Sequence, residues 1–246
     1  MASADAQTAF GARSNRVDVL VQALVQGDRE RSSRIFDSEL ALEAQIPRVY
    51  QGLLQPAMYR IGDLWEVGQI TVATEHMATA ITEELMNRVY PRLINPSRTG
   101  RKVVIATTEE EEHQVGAKMA ADLFEMHGWD AVFPGAGLDT DELLALIEQE
   151  QPVLVGLSFT IAEHAASLLR MMQRIRGRFP RLPILVGGQG LGRVDATIWS
   201  ELERVTCLSS LDALDAYIAR LTSTGPDAGP GPDLAPAAGT TPIVDT

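Results

Sequence analysis

His113 ends an acidic run in a stretch that reads Thr107-Thr-Glu-Glu-Glu-Glu-His113-Gln-Val-Gly116. An imidazole is the commonest protein ligand for a metal ion. It binds best when a carboxylate accepts the proton of its other ring nitrogen and so fixes the tautomer. Glu111, two residues upstream, is spaced for that second task, and Gly116 leaves room for a bulky planar group to approach the helix that follows. A histidine in an acidic loop is more often only solvated, so the weight of this constellation depends on the elements that position it.

Those elements read clearly. Short β-branched runs at Lys102 to Thr107, Ala131 to Pro134, Val153 to Ser158, Pro183 to Val186 and Arg204 to Cys207 predict strands. Helical stretches at Gly116 to His127, Asp139 to Gln149, Ala162 to Arg176, Asp195 to Ser200 and Ser210 to Leu221 alternate with them. Strands that are apolar on both faces and joined by helices imply a parallel sheet covered on both sides. Such a sheet binds its ligand beyond the carboxyl ends of its strands. The loops after Thr107, Pro134, Ser158, Val186 and Cys207 are therefore the ones that carry function, and His113 lies in the first.

Before residue 97 the pattern is different. Val17, Leu20, Val21 and Leu24 form a helical stripe with Ser14 as its cap and Gly27 as its stop. Arg31 to Leu42 and Ile46 to Ile61 read as second and third helices, with Pro56 kinking the third. Gly62 to Ile70 reads as a turn-rich connection, and Thr71 to Val89 as a fourth helix. The expected fold is thus α/β: an N-terminal four-helix bundle over 14–91, a linker over 92–100 and a flavodoxin-like or Rossmann-like five-stranded parallel domain over 101–221. Residues 1–13 are expected to be flexible. The tail 222–246, with five prolines and four glycines, is expected to be disordered.

Composition sets the outer limits. Of 246 residues, 45% are hydrophobic and 22% charged, enough apolar material for a core. The net charge of -12 argues against direct nucleic-acid binding, because phosphate contacts need a basic face. One cysteine, Cys207, excludes an internal disulfide and a multi-cysteine metal site. No apolar run approaches the roughly 18 residues of a membrane span, and the start of the chain lacks a secretory pattern. A cytoplasmic protein without membrane contact is expected.

Within that frame, Glu111-x-His113-x-x-Gly116 resembles the Asp-x-His-x-x-Gly signature of cobalamin (vitamin B12) binding domains. The resemblance implies that His113 is the lower axial ligand of cobalt and Glu111 its carboxylate partner, with Glu in place of the usual Asp. Two further elements match in order. Ser158-Phe159-Thr160 resembles the family's Ser-x-Leu or Ser-x-Thr element, whose hydroxyl lines the slot for the displaced nucleotide tail. Gly187-Gly188 resembles its Gly-Gly element, where that tail lies against the backbone. The helical part resembles the four-helix cap of the methionine synthase type, which implies a cover over the upper face of the corrin ring.

The spacing from Trp65 across nine residues to Glu75-His76 resembles the CarH-like and photocobilin B12 photoreceptors, in which these side chains border the upper-ligand pocket. Trp65 offers a flat apolar wall for an adenosyl group, and Glu75 and His76 offer hydrogen-bonding groups for ribose and adenine. Glu66 departs from that pattern: CarH carries a histidine there that ligates cobalt after illumination. The resemblance implies a light sensor rather than an enzyme, taking adenosylcobalamin, with biliverdin as a candidate second chromophore. Its signal would pass through a homodimer or a partner signalling protein. The alternative is a corrinoid methyl carrier, which would need only a small lid above the ring. A flavodoxin-like response module is disfavoured because Ser158 stands where a phospho-acceptor aspartate would be.

Overall fold

The computed structural model describes residues 15–43, 45–195 and 203–223. It divides into two compact units, one running to Gly100 and including Gln114–Ala131, the other comprising Arg101–His113 and the chain from Val132 onward. The expected helix at Asp195 to Ser200 beyond its first residue, the flexible start over 1–13 and all of the tail beyond Ser223 lie outside the described residues.

In the first unit, α1 (residues 15–25) buries Val17, Leu20, Val21 and Leu24. Helix α2 (Arg29–Leu42) starts two residues earlier than its apolar pattern suggests, because the Asp28 carboxylate accepts from the Arg31 N–H at 2.9 Å and caps it. A continuous helical run then passes through α3 (Ile46–Val49), a π-helical turn (Tyr50–Leu54) and α4 (Gln55–Glu66). Pro56 has no N–H to give and would crowd a carbonyl one turn back. The widened turn before it, in which the Gln55 N–H reaches the Tyr50 carbonyl, takes up that defect.

The expected connection over Gly62 to Ile70 is corrected here. Helix α4 continues through Gly62 to Glu66 and ends instead at Gly68, whose φ of +72° lets the Gln69 N–H reach back to the Leu64 carbonyl at 2.8 Å. Gly62 sits inside the helix, where a glycine is tolerated at up to about 1 kcal/mol relative to alanine. After Thr71, whose hydroxyl caps the next helix through the Thr74 N–H, α5 runs over Val72–Leu93. Its buried stripe of Ala78, Ile81, Thr82, Leu85, Met86, Val89 and Leu93 has helical spacing.

Helix α6 (Val115–Met126) packs on α5 and belongs to this same unit. The stretch 92–100 is tied to the end of α6: the Asn95 amide donates to the Met126 carbonyl, Arg98 pairs with Glu125, and the Thr99 N–H reaches the Gly128 carbonyl. Just beyond, Trp129 is buried with its ring edge-on to Phe124 at 5.2 Å.

The second fold element is a five-stranded parallel sheet in the order β2-β1-β3-β4-β5. The strands are β1 (Lys102–Thr107), β2 (Asp130–Val132), β3 (Leu154–Ser158), β4 (Ile184–Gly187) and β5 (Val205–Cys207). Helices α7 (Thr140–Glu150), α8 (Ala165–Arg178) and α9 (Leu211–Ser223) complete it. The interiors of β1, β3 and β4 are buried on both faces, and Val104, Ala106, Leu157, Phe159, Leu168 and Val186 share one core with α7 and α8. Strand order reverses between β1 and β3, the switch point beyond which sheets of this kind open a crevice. The register puts Thr107 beside Ser158, and Ser158 beside Gly187, so the three strands end level with one another.

Candidate cobalt-ligand site at the sheet switch point

Beyond β1 the chain makes a tight turn, closed by the Glu111 N–H to the Thr108 carbonyl at 3.0 Å. Thr107 secures it from below: its hydroxyl donates to the Glu111 carbonyl at 3.2 Å and accepts from the Gly137 N–H at 3.1 Å. The acidic run is splayed by this turn, so that its carboxylates serve different elements. Glu109 accepts from the backbone and hydroxyl of Thr140 at the start of α7, where a negative charge suits the helix dipole. Glu110 takes a hydrogen bond from Ser167 in the first turn of α8, which lowers its pKa. Glu111 turns inward and is fully buried, while Glu112 stays exposed.

Each oxygen of the Glu111 carboxylate has its own set of donors. Oε1 accepts from the backbone N–H of His113 at 3.0 Å and from Nδ1 of the same residue. Oε2 accepts from the Thr160 N–H at 2.6 Å and the Ile161 N–H at 3.4 Å, and lies 3.3 Å from Nδ1 of His164. Burial on its own would raise the pKa of this acid. The hydrogen bonds from His113 and from the Thr160 backbone outweigh burial and hold it at about 2. An ionised carboxylate accepts only, so His113 carries a proton on Nδ1, and in the neutral ring Nε2 is the nitrogen with the lone pair. The longer arm of Glu thus reaches the histidine as the family's Asp is expected to.

Ser158, Thr160, Gly187 and Gly188 gather at the same end of the sheet. Thr160 contributes its backbone N–H to Glu111. The space left by Gly188 is occupied by Phe159: a Cβ there would stand 2.1 Å from the Phe159 carbonyl oxygen, and the φ of +107° already favours glycine. Gly187 has only the Leu208 carbonyl at 3.6 Å from such a position.

The remaining expected residues lie in the helical unit. Trp65 is in the last turn of α4 and 38% exposed. Glu75 is buried in the first turn of α5, accepting from the Thr79 hydroxyl at 2.8 Å, with one oxygen 2.7 Å from Nδ1 of exposed His76. Gly116 is exposed at the start of α6, and a Cβ on it would meet nothing within 4 Å.

Two residues at the sheet crevice were not signalled by the sequence. His164 shares the carboxylate of Glu111; its place just past β3 is the only hint. The buried hydroxyl of Thr108, one residue past β1, has no hydrogen-bond partner among the described residues. Cys207 is half-buried at the end of β5, and burial pushes its thiol up to about 11, so it is not a thiolate near neutral pH.

A corrinoid fits this arrangement. Among the described residues no group of three or more His, Cys, Asp and Glu side chains could hold a metal ion. The carboxylate-oriented imidazole of His113 suits a single axial bond to an ion whose other ligands a macrocycle supplies. The Thr108 hydroxyl offers a buried polar contact at the same strand ends.

A parallel α/β unit with a carboxylate-fixed histidine at its switch point, preceded by a helical bundle, defines the class of corrinoid-binding modules. Comparison with known proteins agrees: two B12 binding domain models match, one over residues 17–90 and the other over 101–195. Together they cover more than half of the chain, and it belongs to the B12-binding domain family. It is similar to the HTH-type transcriptional repressor CarH of Myxococcus xanthus, with 29% identity over 163 residues, 65% of this chain and 53% of that protein. It is also similar to the HTH-type transcriptional repressor CarA of the same organism, with 29% identity over 142 residues, 56% of this chain and 46% of that protein. The chain thus spans about half the length of these curated relatives. In fold it matches the monomethylamine corrinoid protein of Methanosarcina barkeri, with a TM-score of 0.67 at 16% identity over 84% of this chain and 99% of that one. No described helix is long and apolar enough to cross a membrane.

Proposed function

We propose that the chain is a cobalamin-dependent light sensor that takes adenosylcobalamin, with His113 as the lower axial ligand of cobalt. The observation that carries the cobalamin reading is the Glu111–His113 pair, a buried anionic carboxylate that orients the imidazole and fixes its proton on Nδ1. Adenosylcobalamin, when bound, supplies a cobalt–carbon bond that visible light breaks. The chain supplies the rest. His113 holds the metal, Glu111 keeps that ring in one tautomer, and Gly116 leaves the start of α6 open. Support for the light reading comes from the spacing of Trp65 to Glu75-His76 and from the likeness to CarH and CarA. In this reading Trp65 is the flat wall for the adenosyl group, and Glu75 and His76 hydrogen-bond its ribose and base. The output passes to a second copy of the chain or to a partner signalling protein.

The test is the visible spectrum of protein loaded with adenosylcobalamin, recorded before and after green light. A light-dependent change that His113→Ala alters, with affinity lowered about 10–100-fold, supports the reading. An unchanged spectrum under illumination removes the light sensor, and preferential binding of methylcobalamin replaces it with a methyl carrier. A red or orange holoprotein carries cobalamin alone, whereas blue-green colour adds biliverdin.

A further inference from the structure

The chain leaves one compact unit at His113 and enters the other at Gln114, so the peptide between these two residues is a crossing point. On its near side the backbone N–H of His113 is tied to Oε1 of Glu111 at 3.0 Å. On its far side the side-chain amide of Gln114 donates to Oε1 of Glu83 on α5 at 2.7 Å, and both of these side chains are half-buried. A peptide unit is planar, so only the two backbone torsions of His113 lie between the ties. Without the far tie, the direction in which His113 projects its ring is set from one side alone.

Gln114 stands at the N-cap of α6, where Ser, Thr, Asp or Asn would bond the free N–H groups of the first turn. Its side chain makes no such bond. The amide serves α5 instead, and it draws the Glu83 carboxylate to the end of α6 at which a negative charge suits the helix dipole. Glu83 also belongs to a polar line along α5. Glu75, Thr79 and Glu83 follow one another at intervals of four, and the Thr79 hydroxyl donates to Glu75 at 2.8 Å. Eight residues of helix span about 12 Å, so one continuous helix joins Glu75 and its neighbour His76 to the partner of Gln114.

We propose that the Gln114 amide and the Glu83 carboxylate form a tie that positions the cobalt ligand: by holding the peptide after His113 to α5, they fix the direction in which His113 presents its ring and couple it to the helix that carries Glu75 and His76. This rests on the reading in which His113 ligates cobalt, but its first test uses the apoprotein. Amide hydrogen exchange read by NMR reports the His113 N–H and, in the same experiment, the Lys118 N–H, which bonds the Gln114 carbonyl inside α6. Gln114→Glu sets two carboxylates against each other. Gln114→Leu removes the donor without adding charge, and serves where Gln114→Glu fails to fold. Both should speed exchange at His113 about tenfold. The double variant Glu83→Gln with Gln114→Glu rebuilds the bond with donor and acceptor reversed, and should return His113 to the wild-type rate. Faster exchange at Lys118 with His113 unchanged would make the bond a support for α6 alone and overturn the proposal, as would a double variant no slower than Gln114→Glu.

In holoprotein, Gln114→Leu should lower cobalamin affinity about tenfold. It should also weaken the histidine-nitrogen splitting in the electron paramagnetic resonance spectrum of the cobalt(II) form, and the double variant should recover both. Splitting and affinity that are equal in wild type, Gln114→Leu and the double variant overturn the link to the cobalt ligand. A wild-type holoprotein with no nitrogen splitting overturns instead the assignment of His113 as ligand, while the apoprotein exchange rates still decide whether the tie steadies His113.

Discussion

The hydroxyl of Tyr50, in the π-helical turn, donates to the carboxylate of Asp122 on α6 across 2.7 Å, and both side chains are buried. Burial raises the Asp122 pKa from 3.8 to about 6, with the Tyr50 hydrogen bond and nearby Lys118 opposing the rise. The Tyr50 phenol, itself pushed up by burial and by that carboxylate, stays protonated and can only donate. π turns inside helices are frequent at functional sites; here the turn sets the Tyr50 hydroxyl against α6.

A pH-dependent stability follows from this pair. The native state holds the Asp122 proton more tightly than the unfolded chain does, so this group's contribution to stability falls as pH rises from 3.8 through about 6. Tyr50→Phe takes the donor from the anion and leaves it buried. It should cost about 1–3 kcal/mol at pH 7.5 and clearly less at pH 5, where Asp122 is already protonated in the native state. Urea unfolding at the two pH values measures this, and an equal loss at both would show that the hydroxyl does not serve the carboxylate.

Glu111 has the opposite sign. Its native pKa of about 2 lies below the ordinary 4.5, so its stabilisation is present above 4.5 and is lost as pH falls toward 2. Glu111→Gln sets an amide N–H₂ against the donors that now converge on an anion, and should destabilise by about 1–3 kcal/mol at pH 7. The gap to wild type should narrow as pH drops below 4.5. A gap that stays constant from pH 7 to pH 3.5 in chemical unfolding would mean the carboxylate is not held as an anion.

Much of this was legible in the sequence where the signal is local. The β-branched run Lys102–Thr107 followed by acids and a histidine announces a strand and its ligand loop within twelve residues. What was hidden depends on pairing across the chain. His164 gains meaning only because β3 lies beside β1, and Gly188 because Phe159 folds back under it. Gly62 misleads for a different reason: glycine breaks a helix by propensity, but Ile61 is completely buried beside it, and tertiary packing decides.

Two glycines at the proposed site should respond to alanine in opposite ways. Gly188→Ala drives a methyl into the Phe159 carbonyl at a φ alanine rarely adopts, and should destabilise the apoprotein by more than about 2 kcal/mol. Gly116→Ala meets nothing within 4 Å on α6 and should leave the apoprotein unchanged or stabilise it by up to about 1 kcal/mol. If a corrin ring passes close to Gly116, the same change lowers cobalamin affinity. Thermal unfolding of the apoproteins and titration with cobalamin separate the two effects. A Gly116→Ala protein with wild-type affinity would place the ring elsewhere.

Trp65 separates the two upper-ligand readings. At 38% exposure in the last turn of α4 it contributes less to the core than a buried tryptophan does, so Trp65→Ala should cost the apoprotein well under the roughly 3–5 kcal/mol of a core truncation. An adenosyl group loses its stacking wall in that variant, worth about 0.5–1.5 kcal/mol beyond area, whereas a methyl group has no ring to stack. The expected result is adenosylcobalamin affinity lowered about tenfold with methylcobalamin affinity little changed, read by titration of the two forms in the dark. Equal losses for both would make Trp65 a structural side chain and remove the main support for a large upper ligand.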